Sequence, residues 1–394
     1  MGKRYVVLGC GRQGTAAAYD IARYGAPETL LLTDVNRNQV HAASQRIREF
    51  FPEAPVNTHA LDASDSGKLR GFLEEERVDI VVSGLPYACN LAVAQIAIPA
   101  GISMVDMGGN TGITLRQLEL DSKARDAAAV LVPDCGMGPG MNLSLLAYAM
   151  AQMDDPQHAY VYEAGLPLNP EPPWNYALTF NIAGLTNEYT GEATFLREGE
   201  LVSVDALTGA EEVEIPELGM LETRVTTGGL STTPWTFQGT LQTLENKTLR
   251  YPGHWGQIEA FRDLGLLEES PIEVDGHEVI PRHVFHTLFE PKVAAGSVRD
   301  IAVILVRVVG NRDGAPAEAI ISLVDRYDEE TQFTAMERVT GWHVSIMAQL
   351  IAAGEIGAGA HSVESAVSPN RVVEEARRRG FDIRVTYTSP ATES

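Results

Sequence analysis

Short apolar runs alternate with stretches of helical spacing through the first third of the chain. The candidate strands fall at 4–8, 29–33, 56–60, 80–83, 104–106 and 130–132, and the helical stretches include 37–50, 66–76, 89–100 and 114–128. Strands apolar along their whole length are buried on both faces, so the alternation predicts a parallel sheet with helices on each side. Beyond residue 134 the texture changes. A tight glycine-rich loop over 135–142 leads into an apolar helix over 143–153. β-prone runs follow at 159–163, 177–181, 222–227, 240–244, 300–309 and 319–325. Asp275-Gly276 and Asp313-Gly314 suit tight turns between antiparallel strands. Helices return over 334–353 and 369–379, a strand is expected over 382–387, and 389–394 reads as a frayed tail. The apolar stretch 341–352 is suited to fold back over the first domain.

The first apolar run ends in Gly9-x-Gly11-x-x-Gly14, which encloses Cys10, Arg12 and Gln13 and leads into the helix-forming Thr15-Ala16-Ala17-Ala18. A buried strand that must turn sharply, approach a pyrophosphate with its main chain and present a helix N-terminus needs that order. Gly9 makes the turn, Gly11 leaves room for phosphate, and Gly14 lets helix and strand pack closely. The second run leads into Asp34, where a carboxylate accepts hydrogen bonds from the adenosine ribose. Its charge opposes a 2′-phosphate, which favours NAD over NADP. Ligands of such sheets bind at the carboxyl ends of strands, which singles out Asp62, Gly84-Leu85-Pro86, Asp106 and Asp134. Asp62 suits the adenine end of the cofactor or, equally, a helix N-cap. Gly84, Leu85 and Pro86 suit a loop beside the nicotinamide ribose. The expected fold class is α/β, with a doubly wound Rossmann-type NAD-binding domain over 1–134. An α+β substrate and dimerisation domain with a mostly open sheet follows over 135–333, and the helices and strand of 334–394 return to the first domain.

Composition narrows the partners. Across 394 residues, 53 acidic and 30 basic side chains give a net charge of -23, which repels nucleic acid and anionic membranes and mildly favours a cationic substrate. Cys10, Cys89 and Cys135 are widely spaced, which fits reduced thiols in a cytoplasm better than a disulfide framework or structural zinc. The N-terminal apolar run is only a strand long, and the run 301–309 is interrupted by Arg307, so neither a signal peptide nor a membrane span is expected. His283 and His286 have no third ligand beside them, so no metal site is expected. Glu74-Glu75-Glu76 and Arg377-Arg378-Arg379 read as solvated faces and helix ends.

Several blocks follow one another in fixed order: the glycine loop, Val105-Asp106-Met107-Gly108-Gly109, Pro133-Asp134-Cys135-Gly136-Met137-Gly138-Pro139-Gly140-Met141, Pro170-Glu171-Pro172-Pro173, Thr227-Gly228-Gly229-Leu230-Ser231-Thr232, and Lys247-Thr248-Leu249-Arg250-Tyr251-Pro252-Gly253-His254. Together they resemble the saccharopine dehydrogenase-like superfamily over about residues 3 to 380, and within it most closely the lysine 6-dehydrogenase branch. The resemblance implies two domains with C-terminal helices rejoining the first, and a homodimer or higher homo-oligomer. It also implies an NAD-dependent oxidative deamination at the ε-carbon of lysine. Gly138 stands where saccharopine reductases of the superfamily carry an acidic residue, which favours the lysine branch. Gln13 and Trp174 depart from the apolar and non-aromatic residues expected there.

Oxidising a primary amine by hydride transfer requires a neutral amine, a base for its proton and an anchor for the rest of the substrate. Arg250 is the first candidate anchor, because a guanidinium matches a carboxylate in bidentate fashion; the alternative is a solvated arginine beside Glu245 and Lys247. His254 titrates near neutrality and is a candidate base, or else closes the Pro-Gly turn. Asp134 can take a proton or pair with the substrate amine, or can simply accept from the glycine-rich main chain after it. Asp106 has the same alternatives and ranks lower. Gly228, Gly229, Ser231 and Thr232 offer main-chain and hydroxyl hydrogen bonds to a substrate, or form a turn. A reductase of the saccharopine or carboxynorspermidine type keeps this fold with a different small-molecule substrate, and a non-catalytic NAD-binding sensor or assembly protein is a rival of another class.

Overall fold

The computed structural model describes residues 2–216, 218–294, 296 and 298–388, so the expected tail at 389–394 lies outside the described residues. Two compact units are present. The first comprises residues 2–152, 231–236 and 337–383, and the second comprises 153–230, 237–336 and 384–388. The loop and helix after residue 134 therefore stay with the first unit, where the sequence had suggested the start of the second.

In the first unit six parallel strands alternate with helices: β1 (Arg4–Leu8), β2 (Thr29–Asp34), β3 (Val56–Ala60), β4 (Ile80–Ser83), β5 (Ser103–Asp106) and β6 (Val130–Val132). The short strand Gly359–Ala360 adds beside β6, giving the order Gly359–Ala360, β6, β5, β4, β1, β2, β3. Order reverses between β1 and β4, so the loops leaving them share the end of the sheet where dinucleotides bind. The helices are α1 (Arg12–Tyr24), α2 (Arg37–Phe50), α3 (Ser66–Glu75), α4 (Asn90–Ala97), α5 (Thr111–Leu118), α6 (Asp121–Asp126) and α7 (Met141–Met150). Asn36, Asp65 and Asn110 cap α2, α3 and α5 by accepting main-chain N–H bonds. The single helix expected over 114–128 is two. Asn110 starts α5 early, and buried Leu120 turns inward between α5 and α6. Val6, Leu8, Leu31, Val81, Met104 and Leu131 from five adjacent strands pack with Leu69, Val93 and Ile96 of the covering helices.

The second unit is built on a mixed sheet. Its strands are β7 (Asp155–Pro167), β8 (Glu192–Arg197), β9 (Glu200–Asp205), β10 (Glu211–Ile215), β11 (Gly219–Val225), β12 (Thr243–Arg250), β15 (Asp300–Arg312) and β16 (Ala315–Arg326), with the hairpin β13 (Ile272–Val274) and β14 (His277–Val279) apart from it. The order is β10, β11, β12, β7, β15, β16 and then Ile383–Thr388, with β8 pairing β12 and β9. Asp275-Gly276 and Asp313-Gly314 do turn the β13–β14 and β15–β16 pairs, all four residues at positive φ. Two expectations fail here. Residues 177–181 form no strand, since Asn181 instead caps helix α8 (Ile182–Glu188). The strand expected at 240–244 begins at Thr243 and runs to Arg250, so the block carrying Arg250 is central strand. The single turn α9 (Thr233–Thr236) counts with the first unit, while α10 (His254–Asp263) and α11 (Pro281–Val293) pack with α8 in one apolar cluster of the second unit.

Helix α12 (Ala335–Ala352) then returns, and from Glu337 it belongs to the first unit. Gly341 makes the fit possible, because a Cβ there would lie 2.7 Å from both the Ala16 Cβ and the Gln13 carbonyl oxygen of α1. Trp342 stacks on Tyr19 at 6.4 Å. Helix α13 (Pro369–Arg378) ends in Arg379, whose Nε donates to both Asp20 oxygens at 2.9 Å. Arg379 is buried, which corrects the reading of 377–379 as wholly solvated.

Candidate functional site

In the first unit the glycine loop has the shape a dinucleotide requires. Gly9 turns at φ +88°, and a Cβ on it would sit 2.8 Å from the Gly84 carbonyl oxygen. A Cβ on Gly14 would collide with the Gly9 carbonyl, whereas one on Gly11 would meet nothing within 4 Å. Gly11 is also the N-cap of α1 and brings no side-chain cap to it, and the N-terminus of a helix favours a bound anion. The loop thus fits a pyrophosphate at Gly11, with Arg12 and Gln13 in the first turn. Asp34 ends β2, accepting from Cys10 N and Asn36 N at 2.9 Å each, which fixes its carboxylate beside the loop. Gly84 N donates to the Leu8 carbonyl at 2.8 Å, and Leu85 and Pro86 follow it at the same sheet edge. Asp62 is exposed and binds Ser64, which holds its pKa down. The cap of α3 is Asp65, so the N-cap reading of Asp62 is displaced by three residues.

Asp106 and Asp134 stand at the carboxyl ends of β5 and β6, both buried. Asp106 accepts from Gly108 N at 2.8 Å, Gln117 Nε2 at 2.7 Å and Asp134 N at 3.3 Å, and burial still pushes its pKa up. Asp134 adopts φ +61°. Its partners are hydroxyls: Thr114 Oγ1 at 2.9 Å on one oxygen and Ser231 Oγ on the other. The main-chain cradle expected for Asp134 therefore belongs to Asp106. Burial first and the Asp106 charge second raise Asp134 to about 7, against the pull of its two hydroxyl donors. Thr232 Oγ1 donates to Glu364, so both hydroxyls proposed for substrate are turned onto carboxylates. The loop behind Asp134 is closed by glycine: Met141 N donates to the Gly136 carbonyl at 2.9 Å, and any Cβ on Gly140 would collide with Gly136.

In the second unit Arg250 is buried, which excludes the solvated alternative. Its Nε donates to Tyr189 Oη at 3.2 Å, its Nη1 to the Leu249 carbonyl at 3.1 Å, and Nη2 lies 3.8 Å from Glu188. Tyr176, Trp255 and Tyr189 rings surround the guanidinium at 5.3, 5.7 and 6.0 Å. His254 opens α10, buried, with Nε2 3.1 Å from Tyr189 Oη. Burial and then the Arg250 charge push its pKa well down, so the imidazole is held neutral. Asn246, Thr248 and Arg250 alternate onto one face of β12, and Glu163 is the cross-strand partner of Thr248. Glu163 Oε1 accepts from Asn246 Nδ2 at 3.3 Å, and burial, then the Glu188 charge, raise Glu163 to about 8. Gly228 turns at φ +89°, and Gly229 lies against Asn246 and Glu163.

Thr114, Gln117, Glu364, Glu163, Glu188, Asn246 and the aromatic residues around Arg250 escaped the sequence reading. None of them carried a local signal: β12 reads Thr-Leu-Glu-Asn-Lys-Thr-Leu-Arg, in which Asn246 is one polar residue among several.

Comparison with known proteins gives a consistent picture. The family described as saccharopine dehydrogenase NADP binding domain matches residues 5–132, and that described as saccharopine dehydrogenase C-terminal domain matches residues 136–381. The mitochondrial alpha-aminoadipic semialdehyde synthase of Mus musculus is 25% identical over 283 residues, covering 68% of this chain and 29% of that protein. Its Rattus norvegicus counterpart is 25% identical over 290 residues with the same coverage. The chain thus spans about 29% of the length of these curated relatives. The apo saccharopine dehydrogenase (L-Glu forming) of Saccharomyces cerevisiae has the same fold, with TM-score 0.80 at 17% identity over 98% of this chain and 100% of that one.

Proposed function

Because the chain belongs to the saccharopine dehydrogenase family through both its nucleotide-binding and its C-terminal part, we propose that it is an NAD-dependent dehydrogenase that oxidatively deaminates the ε-amino group of L-lysine. The observation that carries the chemistry is Asp134: a buried carboxylate at a strand end, gripped by two hydroxyls and raised to about 7. A group of that kind is suited to accept a proton from an amine near neutral pH. Gly9, Gly11 and Gly14 with the α1 N-terminus would hold the pyrophosphate, and Asp34 the adenosine ribose. Asp34 argues for NAD, although the matched family is described by NADP. When bound, NAD supplies the hydride acceptor. Asp134 takes the amine proton, while Ser231 and Thr114 keep its carboxylate oriented. Loss of a hydride from the ε-carbon to the cofactor leaves a C=N iminium in the substrate; water adds to that carbon, ammonia leaves and an aldehyde remains.

Charge supports lysine over saccharopine. In the polar cluster of the second unit one guanidinium, Arg250, stands beside two carboxyl groups, Glu163 and Glu188. That balance suits a substrate with one carboxylate and two ammonium groups better than one with three carboxylates. A saccharopine-type C–N oxidoreductase is the second reading, favoured by the descriptions of the two matched family domains. Purified protein with NAD and L-lysine is expected to generate reduced cofactor, at least tenfold faster than with NADP or with saccharopine. Turnover of saccharopine and not lysine would replace the first reading with the second.

A further inference from the structure

Among the buried acceptors of the second unit, two neighbouring ones have no donor among the described residues. Glu163 Oε2 and Asn246 Oδ1 have no hydrogen-bond partner among the described residues, although the two residues are only 8% and 1% exposed. Leaving such atoms unpaired is costly unless something else is meant to pair them. They lie together. Asn246 Nδ2 reaches Glu163 Oε1 at 3.3 Å, and both head groups crowd Gly229, where a Cβ would collide with Asn246 Oδ1 and come within 2.7 Å of Glu163 Oε1. The missing partner is thus a donor. A carboxylate and an amide oxygen, one of them ionisable, suit a primary ammonium, which carries three N–H groups and one positive charge. On the same sheet face, two residues past the cross-strand partner of Glu163, Arg250 presents the opposite charge. An ammonium and a carboxylate on one carbon are the head group of an α-amino acid.

We propose that Glu163 and Asn246 receive the α-ammonium of the substrate, so that the site selects α-amino acids over ω-amino acids that lack that group. The inference rests on the reading of the chain as an amino-acid dehydrogenase. Burial and the Glu188 charge leave Glu163 partly protonated near neutral pH, and an incoming ammonium returns it to the carboxylate with release of its proton. Lysine affinity therefore increases as pH rises towards 8.

Calorimetric titration of the protein with L-lysine and with 6-aminohexanoate, in the presence of NADH, decides the matter. The two ligands share the ε-amine and the carboxylate and differ only in the α-amine. The wild type is expected to bind lysine about 10- to 100-fold tighter, the value of a charge-assisted hydrogen bond at a buried site, and Glu163→Gln to reduce that ratio to near one. Should Glu163→Gln fail to fold, Asn246→Ala must narrow the same ratio. A wild type without preference, or a ratio untouched by either variant, overturns the subsite. Lysine that binds with the expected ratio but is not oxidised overturns the proposed reaction and leaves the subsite standing; lysine oxidised without regard to the α-amine does the reverse. No binding of either ligand overturns both.

Discussion

Asp134 shows how one residue acquires a property its neighbours in sequence do not supply. Its position just past β6 follows from the strand pattern, but its partners Thr114 and Ser231 come from far along the chain, so the hydroxyl grip was invisible until the fold was known. Burial then sets its proton affinity, because water no longer solvates the anion and Asp106 adds a second negative charge. The sign of the consequence is definite. A base works only when ionised, so kcat/KM for the amine substrate increases with pH through an acidic limb near 7. Asp134→Asn is expected to abolish that limb and to lower kcat by about 10²–10⁴-fold; an unchanged pH profile in the variant would remove Asp134 from the proton transfer. Arg250 makes the complementary point. Lys247 and Glu245 beside it in sequence suggest solvent, yet a central strand and the rings of Tyr176, Tyr189 and Trp255 enclose it.

Among the elements, the glycine loop was the most legible, because each glycine answers a local steric demand. Gly11 and Gly14 separate the two roles experimentally. A Cβ on Gly11 meets open space at an ordinary φ of -68°, so Gly11→Ala should leave the melting temperature unchanged while weakening NAD binding by tenfold or more. Gly14→Ala drives a Cβ into the Gly9 carbonyl and is expected to cost at least about 1–3 kcal/mol of stability. Thermal melts and NAD titrations of the pair check both, and Gly11→Ala with wild-type affinity would argue against phosphate at that position. Elsewhere propensity misled. Residues 177–181 look β-prone, but Asn181 accepts from Ala183 N at 2.7 Å and begins a helix instead. Register along β12 likewise follows from its pairing with β7 and β11 rather than from its own composition.

At the scale of the whole molecule, the chain leaves its first unit after residue 152, rejoins it over 231–236 and returns to it again near residue 337. The return is secured by a buried charge network: Arg379 Nε on Asp20, Gln349 Nε2 on Asp20 at 3.1 Å, and the Tyr24 ring 4.5 Å from the guanidinium. Burial raises the Asp20 pKa despite the neighbouring Arg379, a sign that desolvation outweighs the attraction. Removing one partner strands the other, so Asp20→Ala is expected to destabilise the protein by about 3–5 kcal/mol. Urea denaturation measures this, and a loss below about 1 kcal/mol would show that Glu375 alone suffices for Arg379. The sequence by itself determined the parallel sheet, the glycine loop, the acidic residue at the end of β2 and the strand ends where chemistry sits, because each depends on local periodicity or on a single backbone demand. Only the tertiary structure decided which side chains meet. Asp20 with Arg379, Asp134 with Ser231, and Glu163 with Asn246 are separated by 359, 97 and 83 residues. Their burial and charge arise from packing between elements, which no local pattern encodes.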